Sequence, residues 1–305
     1  MPGTRRSVRA LLMGTVLSFF TDMATPATAD PGVVTATRTA ESTMQSFGLL
    51  TPIAASSERA ARLSSESEHL EPSCSLSTKS GLTVEYRNHS VGITPGTAVR
   101  SASVGPSGAL VYNMSDSYDY AFTGAGHVLN AGFALIKDQA APSDYRFDVT
   151  VDGEPAILEF IDHSVAVKDS HGRTVNFINP AWASDSTGAP VRTSFSIDGG
   201  TLVQRVHHTG ASYPVVADPS LACDIAFCTI MLNRTATKTA SQSTAAAAGL
   251  LCGSMTAAFA PLGAVCGAYG AVFHVAAVQA NNSGQCLGAR YLTIGGSLHP
   301  VIQRC

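Results

Sequence analysis

Charge is what this 305-residue chain has least of: 13% of its residues are Asp, Glu, Lys or Arg, against roughly a quarter in an average soluble domain. From Thr239 to Ala289 there is none, and His274 is the only titratable side chain there apart from Tyr and Cys. The formal net charge of -3 leaves no basic surplus, which excludes the electrostatic footprint of a nucleic-acid partner. The sequence also lacks a G-x-S-x-G elbow, an H-E-x-x-H pair, a phosphate-binding glycine loop and an EF-hand pattern, so no catalytic, cofactor-binding or metal-ligating residue can be named and no cofactor is expected. His207 and His208 adjoin on an expected strand, where their side chains point to opposite faces. Asp148, Asp162 and Asp169, with His163 and His171, stand near turns and read as solvated caps. Cys223 and Cys228, with four residues between them and no His nearby, match structural zinc spacing poorly. The single tryptophan, Trp182, reads as a core plug.

No long membrane anchor opens the chain. The apolar run Ala10 to Phe20 is too short for the roughly 20 residues of a spanning helix. Preceded by Arg5, Arg6 and Arg9 and followed by Ala27-Thr28-Ala29, it has the three regions of a secretory signal, with cleavage expected after Ala29. The Arg5-Arg6 pair comes near a twin-arginine pattern, although Val8 stands where a larger apolar residue is usual. General secretory and twin-arginine export both remain open. Losing Arg5, Arg6, Arg9 and Asp22 would take the net charge from -3 to -5. A secreted or cell-envelope location follows, with an exposed face built from Ser, Thr, Gly and Asn.

In an exported chain, seven cysteines read first as a disulfide framework. Cys74 stands alone upstream; Cys223, Cys228, Cys252, Cys266, Cys286 and Cys305 lie in the C-terminal third. Cys252 and Cys266 lie at equal distances on either side of Phe259 and would face each other in an antiparallel helix pair, closing a short loop worth roughly 3 kcal/mol. Folding "CLGARYLTIGGSLHPVIQRC" about Gly295-Gly296 brings Cys286 opposite Cys305, and Cys223 then pairs with Cys228.

Four segments are expected: a signal over 1–29, a linker or loosely helical spacer over 30–80, an antiparallel β module over 81–219, and a Cys-containing Gly/Ala-rich region over 220–305. The β module rests on alternation and turns. In "YRFDVTVDGEPAILEFID", Phe147, Val149 and Val151 alternate with polar residues, Asp152-Gly153 turns the chain, and Ile157, Glu159 and Ile161 form the return strand. The pattern repeats around Asp169 to Gly172 and around Asp198 to Gly200. In the last region Pro261 divides an apolar stretch into candidate helices over 244–259 and 262–280. Gly249 with Gly253, and Gly263 with Gly267, give small-residue spacings that allow close contact with a partner or a membrane; a soluble packed hairpin is the competing reading. The fold class is therefore α+β: an antiparallel β-sandwich-like module followed by a small disulfide-braced helical hairpin and a terminal β-hairpin.

The run "NPAWASDSTGAPVRTSFSIDGGTLVQRVHHTGASYPVVADPS", followed by "IMLNRTATKTA", resembles a group of secreted actinobacterial proteins. The likeness covers roughly residues 140 to 290, on Trp182 to Asp185, Tyr213 to Pro219 and Asn233 to Thr237. This chain has Asn179 where that pattern carries a second proline. The resemblance implies export, a β-rich module and a helical segment opening at Asn233, and no particular reaction. The function expected is that of a non-enzymatic secreted or envelope protein making protein or membrane contact through its helical hairpin. A secreted hydrolase with a site not visible in sequence, and a toxin-like membrane-active protein, are the alternatives.

Overall fold

A computed structural model of the chain describes residues 30–50, 74–86, 88–124, 130–161, 164–223, 227–258, 269–292 and 298–303. The protein is mostly antiparallel β sheet with a few helices. One large sheet joins β1 (Cys74–Ser77), β2 (Gly81–Tyr86), β3 (His89–Pro95), β8 (Asp144–Val151), β15 (Thr201–Val206) and β14 (Thr193–Asp198) in that order, with the short β9 (Glu154–Pro155) paired to β8. A second runs β13 (Trp182–Asp185), β16 (Val215–Asp218), β7 (Ala131–Ile136), β6 (Tyr118–Thr123), β5 (Leu110–Asn113) and β4 (Ser101–Val104). Leu82, Val84, Ile93 and Phe147 of the first sheet share a buried core with Leu110, Tyr120, Phe122 and Val215 of the second.

The two sheets differ in how many faces they bury. Along β8, burial alternates, with Tyr145, Phe147, Val149 and Val151 inward, as its period-2 pattern requires. Strands β7 and β16 are buried at every position, because the outer face of their sheet is covered as well. The cover is helix α1 (Pro31–Ser46). Asp30 caps it by accepting the Gly32 N–H at 2.8 Å, with Pro31 in the first turn. Its buried positions Thr37, Ala40, Glu41 and Met44 follow one helical face. Met44, Phe47 and Leu49 pack on Val111, Phe133 and Val216, and the Glu41 carboxylate accepts the Ser107 N–H at 2.9 Å and the Ser107 hydroxyl. The first half of the expected spacer is thus a docked helix, and strands begin at Cys74; residues 51–73 lie outside the described segments.

Each turn expected in the β module is present, with one change of strand; the turn expected at Gly295-Gly296 lies outside the described residues. Asp152 and Gly153 take φ of 53° and 85° and close β8 onto β9, the primed turn that Asp-Gly favours. The return strand is shorter than expected, since β9 ends at Pro155, which has no N–H to continue the ladder. The chain then leaves for a three-stranded sheet of β10 (Ile157–Ile161), β11 (Ser164–Lys168) and β12 (Thr174–Ile178). Ala156 and Leu158 are buried while Ile157 and Glu159 are exposed. The expected inward set of Ile157, Glu159 and Ile161 therefore fails at its first two positions, while Ile161 is half-buried against Ala166 and Phe177 and Phe160 is exposed. At the other hairpin, Asp198 pairs with Thr201 across Gly199 and Gly200.

The C-terminal part has its own core. A sheet of β17 (Phe227–Met231), β18 (Cys286–Leu292) and β19 (Leu298–Gln303) packs with helices α2 (Arg234–Ala240), α3 (Thr244–Ala258) and α4 (Gly270–Asn282) around Ile230, Leu251, Phe273, Ala277 and Leu287. Asn233 caps α2 by accepting the Ala236 N–H at 2.8 Å. The second helix of the Gly/Ala-rich stretch is described from Gly270 to Asn282, beyond the expected end at 280, and residues 259–268 around Pro261 lie outside the described segments. The terminal hairpin register also differs. Cys286 faces Gln303 across the ladder, and β17 adds a third strand.

Candidate functional site

The disulfide Cys223–Cys228 closes a short loop where the chain passes from the β module to the C-terminal sheet. Asn176 on β12 holds it, its amide donating to the Cys223 carbonyl at 2.9 Å and its side-chain oxygen accepting the Cys223 N–H at 3.1 Å. Ala166 and Phe177 bury the bridge. Asn179, at the position where the resemblance leads one to expect proline, accepts the Met231 N–H through its side-chain oxygen at 3.2 Å. Proline could not make that bond. Cys286 is buried and disulfide-bonded; Cys305 lies outside the described residues, as does the expected Cys252–Cys266 pairing. Cys74 is buried where the missing side chain of Gly124 leaves room: a Cβ on that glycine would lie 2.4 Å from the Cys74 sulfur.

Of the glycines singled out by spacing, only Gly249 has described surroundings. Gly249 on α3 is exposed, and a Cβ there would meet nothing within 4 Å. Gly263 and Gly267 lie outside the described residues, and Gly253 is described only as part of α3. The close approach is at Gly270, where a Cβ would lie 3.1 Å from Thr244 Cγ2 and 3.2 Å from the Ala248 methyl. Helix α4 buries Phe273, Ala276, Ala277 and Ala280 and leaves Val272, Val275 and Val278 exposed at 49%, 67% and 37%. His274 sits between these faces, its Nδ1 3.2 Å from the Ala240 carbonyl at the end of α2. Among the described residues, no helix is long and apolar enough to cross a membrane.

A cleft of about 440 Å³ lies where the β module meets the C-terminal sheet. One wall is Trp182, half-buried and edge-on to Phe133 with ring centroids 6.4 Å apart. The other wall comes from Met231 to Thr235, together with Cys286 and Gln303. Buried Gln204 fixes the Trp182 strand, its amide donating to the Trp182 carbonyl and to the Thr193 hydroxyl, each at 3.1 Å. Asp218 faces Trp182 across the β13–β16 ladder and is 1% exposed. Both of its carboxyl oxygens are shut off from solvent. Burial pushes its pKa up to about 8, opposed by hydrogen bonding from the Ser220 side chain and from the Trp182 side chain and backbone. At neutral pH the group is a neutral acid, offering one donor and one acceptor.

Asp218 was not singled out by sequence because it sits within the Tyr213–Pro219 element, which reads only as the end of the β module. The available signal was an Asp directly after Val215-Val216-Ala217, in a strand apolar enough to be buried on both faces. His207 and His208 do point apart: His207 is exposed beside Arg192, while His208 is buried with Nδ1 2.8 Å from the Tyr213 hydroxyl. Among the described residues, no group of His, Cys, Asp and Glu is arranged to hold a metal ion. Comparison with protein-family models, curated proteins and solved structures finds no match.

Proposed function

We propose that this chain is an exported, non-enzymatic protein of the cell envelope or the medium that makes contact with a protein or membrane partner through its C-terminal helices. The observation that carries the reading is the valine stripe of α4: Val272, Val275 and Val278 stay exposed on the helix whose opposite face fills the core. Within 239–289 no Asp, Glu, Lys or Arg interrupts that surface. A contiguous apolar face free of charge is the kind of patch that marks an interaction site. Two disulfide-bonded sites, Cys223–Cys228 and Cys286, support an oxidising location. So do the basic, apolar and small-residue regions at the N-terminus and the likeness to secreted actinobacterial proteins with a β-rich module followed by a Gly/Ala-rich helical segment.

The test uses the oxidised chain from Asp30. Flotation with phosphatidylcholine vesicles, or self-association that grows with concentration in the ultracentrifuge, is expected. Val275→Lys should weaken either one at least tenfold while leaving the circular dichroism spectrum unchanged, since Val275 is 67% exposed. A chain that stays monomeric and ignores lipid, or a variant that behaves like the parent, counts against the contact face.

A further inference from the structure

The sheet of β10, β11 and β12 is covered on both faces and open along one edge. Leu158, Val165, Val167 and Ile178 join the large core, while Ala166 and Phe177 pack on the disulfide Cys223–Cys228. On the β12 side the ladder continues in a bridge between Ile178 and Leu221, whereas β10 pairs with β11 alone. Ile161 pairs with Ser164 across a two-residue connection, which makes theirs a hydrogen-bonded pair, and alternation along the ladder makes Glu159 and Ile157 the next ones on β10. The N–H and C=O groups of Leu158 and Phe160 therefore point away from β11, and they form no other hydrogen bond among the described residues. Open edges are ordinarily guarded by proline, lysine, a bulge or a covering helix. Strand β19 carries Pro300, β4 lies under α1, and β14 exposes Ser194, Ser196 and Asp198. Strand β10 contains no proline or lysine and leaves Ile157 and Phe160 exposed at 46% and 49%.

We propose that this edge is an interface with a second copy of the chain, β10 pairing antiparallel with β10 across a two-fold axis at Glu159. The strand is symmetric in chemical kind about its centre, with Ile157 and Ile161 at the ends, Leu158 and Phe160 inside them and Glu159 in the middle. That is the self-complementarity a two-fold contact requires. In this register Leu158 of one copy faces Phe160 of the other, so the outward backbone groups meet as hydrogen-bonded pairs. Ile157 faces Ile161 in the same way on the opposite face of the joined sheet, and both exposed apolar side chains gain cover. The one like-charged contact, Glu159 against Glu159, is balanced within each copy, because Lys168 on β11 donates to the Glu159 carboxylate. Two carboxylates and two ammonium groups then share the seam with no net charge. A strand from another protein is the competing occupant; the symmetry of β10 and the Lys168–Glu159 pair are what favour a second copy. The contact uses no residue of α4 and stands independently of that face.

The test uses the oxidised chain from Asp30 carrying Val275→Lys, so that the result does not depend on contacts made by α4. Sedimentation equilibrium should show a monomer–dimer equilibrium. Phe160→Lys should weaken the dimer about tenfold or more without changing the circular dichroism spectrum, since Phe160 is half exposed. Lys168→Met leaves the two Glu159 carboxylates facing each other uncompensated and should weaken the dimer about fivefold; adding Glu159→Gln should restore it. The register has its own readout. Glu159→Cys sets two thiols directly opposite in a non-hydrogen-bonded pair, where Cα atoms about 4.5 Å apart lie within disulfide range, so mild oxidation should link two chains through that position. Ile157→Cys faces Ile161 instead and should not link to itself. A monomer at every concentration reached, a dimer indifferent to Phe160→Lys or to Lys168→Met, or cross-linking at position 157 as ready as at position 159 would each overturn the proposal.

Discussion

Asp218→Asn should raise the melting temperature near neutral pH, by roughly 5–10 °C for about 3 kcal/mol of added stability. The sign follows from where the proton sits. The native carboxyl holds its proton up to about pH 8, whereas in the unfolded chain an aspartate gives it up near pH 4. The native state therefore binds more protons across that window, and stability falls as pH rises. The Asp218 contribution is fully present below about pH 4, declines by up to about 1.4 kcal/mol per unit, and is lost as pH passes the native value. Asp144, Asp152 and Asp185 act in the opposite direction: hydrogen bonds from Arg205, from the Ser90 N–H and from Thr187, respectively, are the largest causes holding their carboxyls below the usual range. Because those terms are common to both proteins, the difference between parent and variant melting curves over pH 4 to 8 isolates Asp218. A difference that stays constant across the window would show that the buried carboxyl titrates normally. A less stable variant would show that it has a partner the asparagine cannot satisfy.

The second large effect belongs to α1. Met44→Ala should destabilise the protein by about 2–5 kcal/mol, the usual cost of truncating a filled core position, because Met44 is 0% exposed among Phe47, Leu49, Phe133 and Val216. Denaturant titration would measure it. A matching substitution on the open side of the same helix, Thr39→Ala, should change stability by no more than about 0.5 kcal/mol, since its hydroxyl bonds only to the Thr35 carbonyl one turn back. Were Met44→Ala equally mild, residues 31–46 would be an appendage and the outer face of the second sheet would need another cover. Glu41→Gln gives a finer reading of the same dock. It keeps an acceptor for the Ser107 N–H and hydroxyl, so it should cost less than removal of Met44.

The contrast between these two sites explains what sequence could and could not convey. Hairpins were legible because alternation and turn chemistry are local: Asp152-Gly153 declares a primed turn whatever surrounds it. Helix α1 was not, because Ser, Thr and Ala dominate its sequence and what makes it fold is a surface formed by strands far along the chain. The register of β10 was missed for a related reason. Alternation there is ambiguous, and the exit of Pro155 from the ladder decides which parity points inward. At the cleft, Trp182, Asp218, Arg192 and Arg234 come from separate elements, so no spacing in sequence could have joined them. Gly270 rather than Gly249 sets the approach of α3 and α4, because a small-residue spacing fixes which positions could touch and not which side of the helix the partner lies on.

The placement of α1 also sets an order of events. Synthesis delivers residues 31–46 before the strands they pack on, yet the helix rests on β4 and β5, and its apolar face is completed by Phe133 and Val216, the last of which lies on the final strand of that sheet. Until β16 has paired with β7, this helix has only part of a surface on which to fold. Docking of the helix therefore comes late. Interactions that form after the transition state leave the folding rate nearly untouched and govern how fast the native state is lost. The amino-terminal helix acts as a latch on the finished sheet, and weakening it at Met44 should speed unfolding far more than it slows folding.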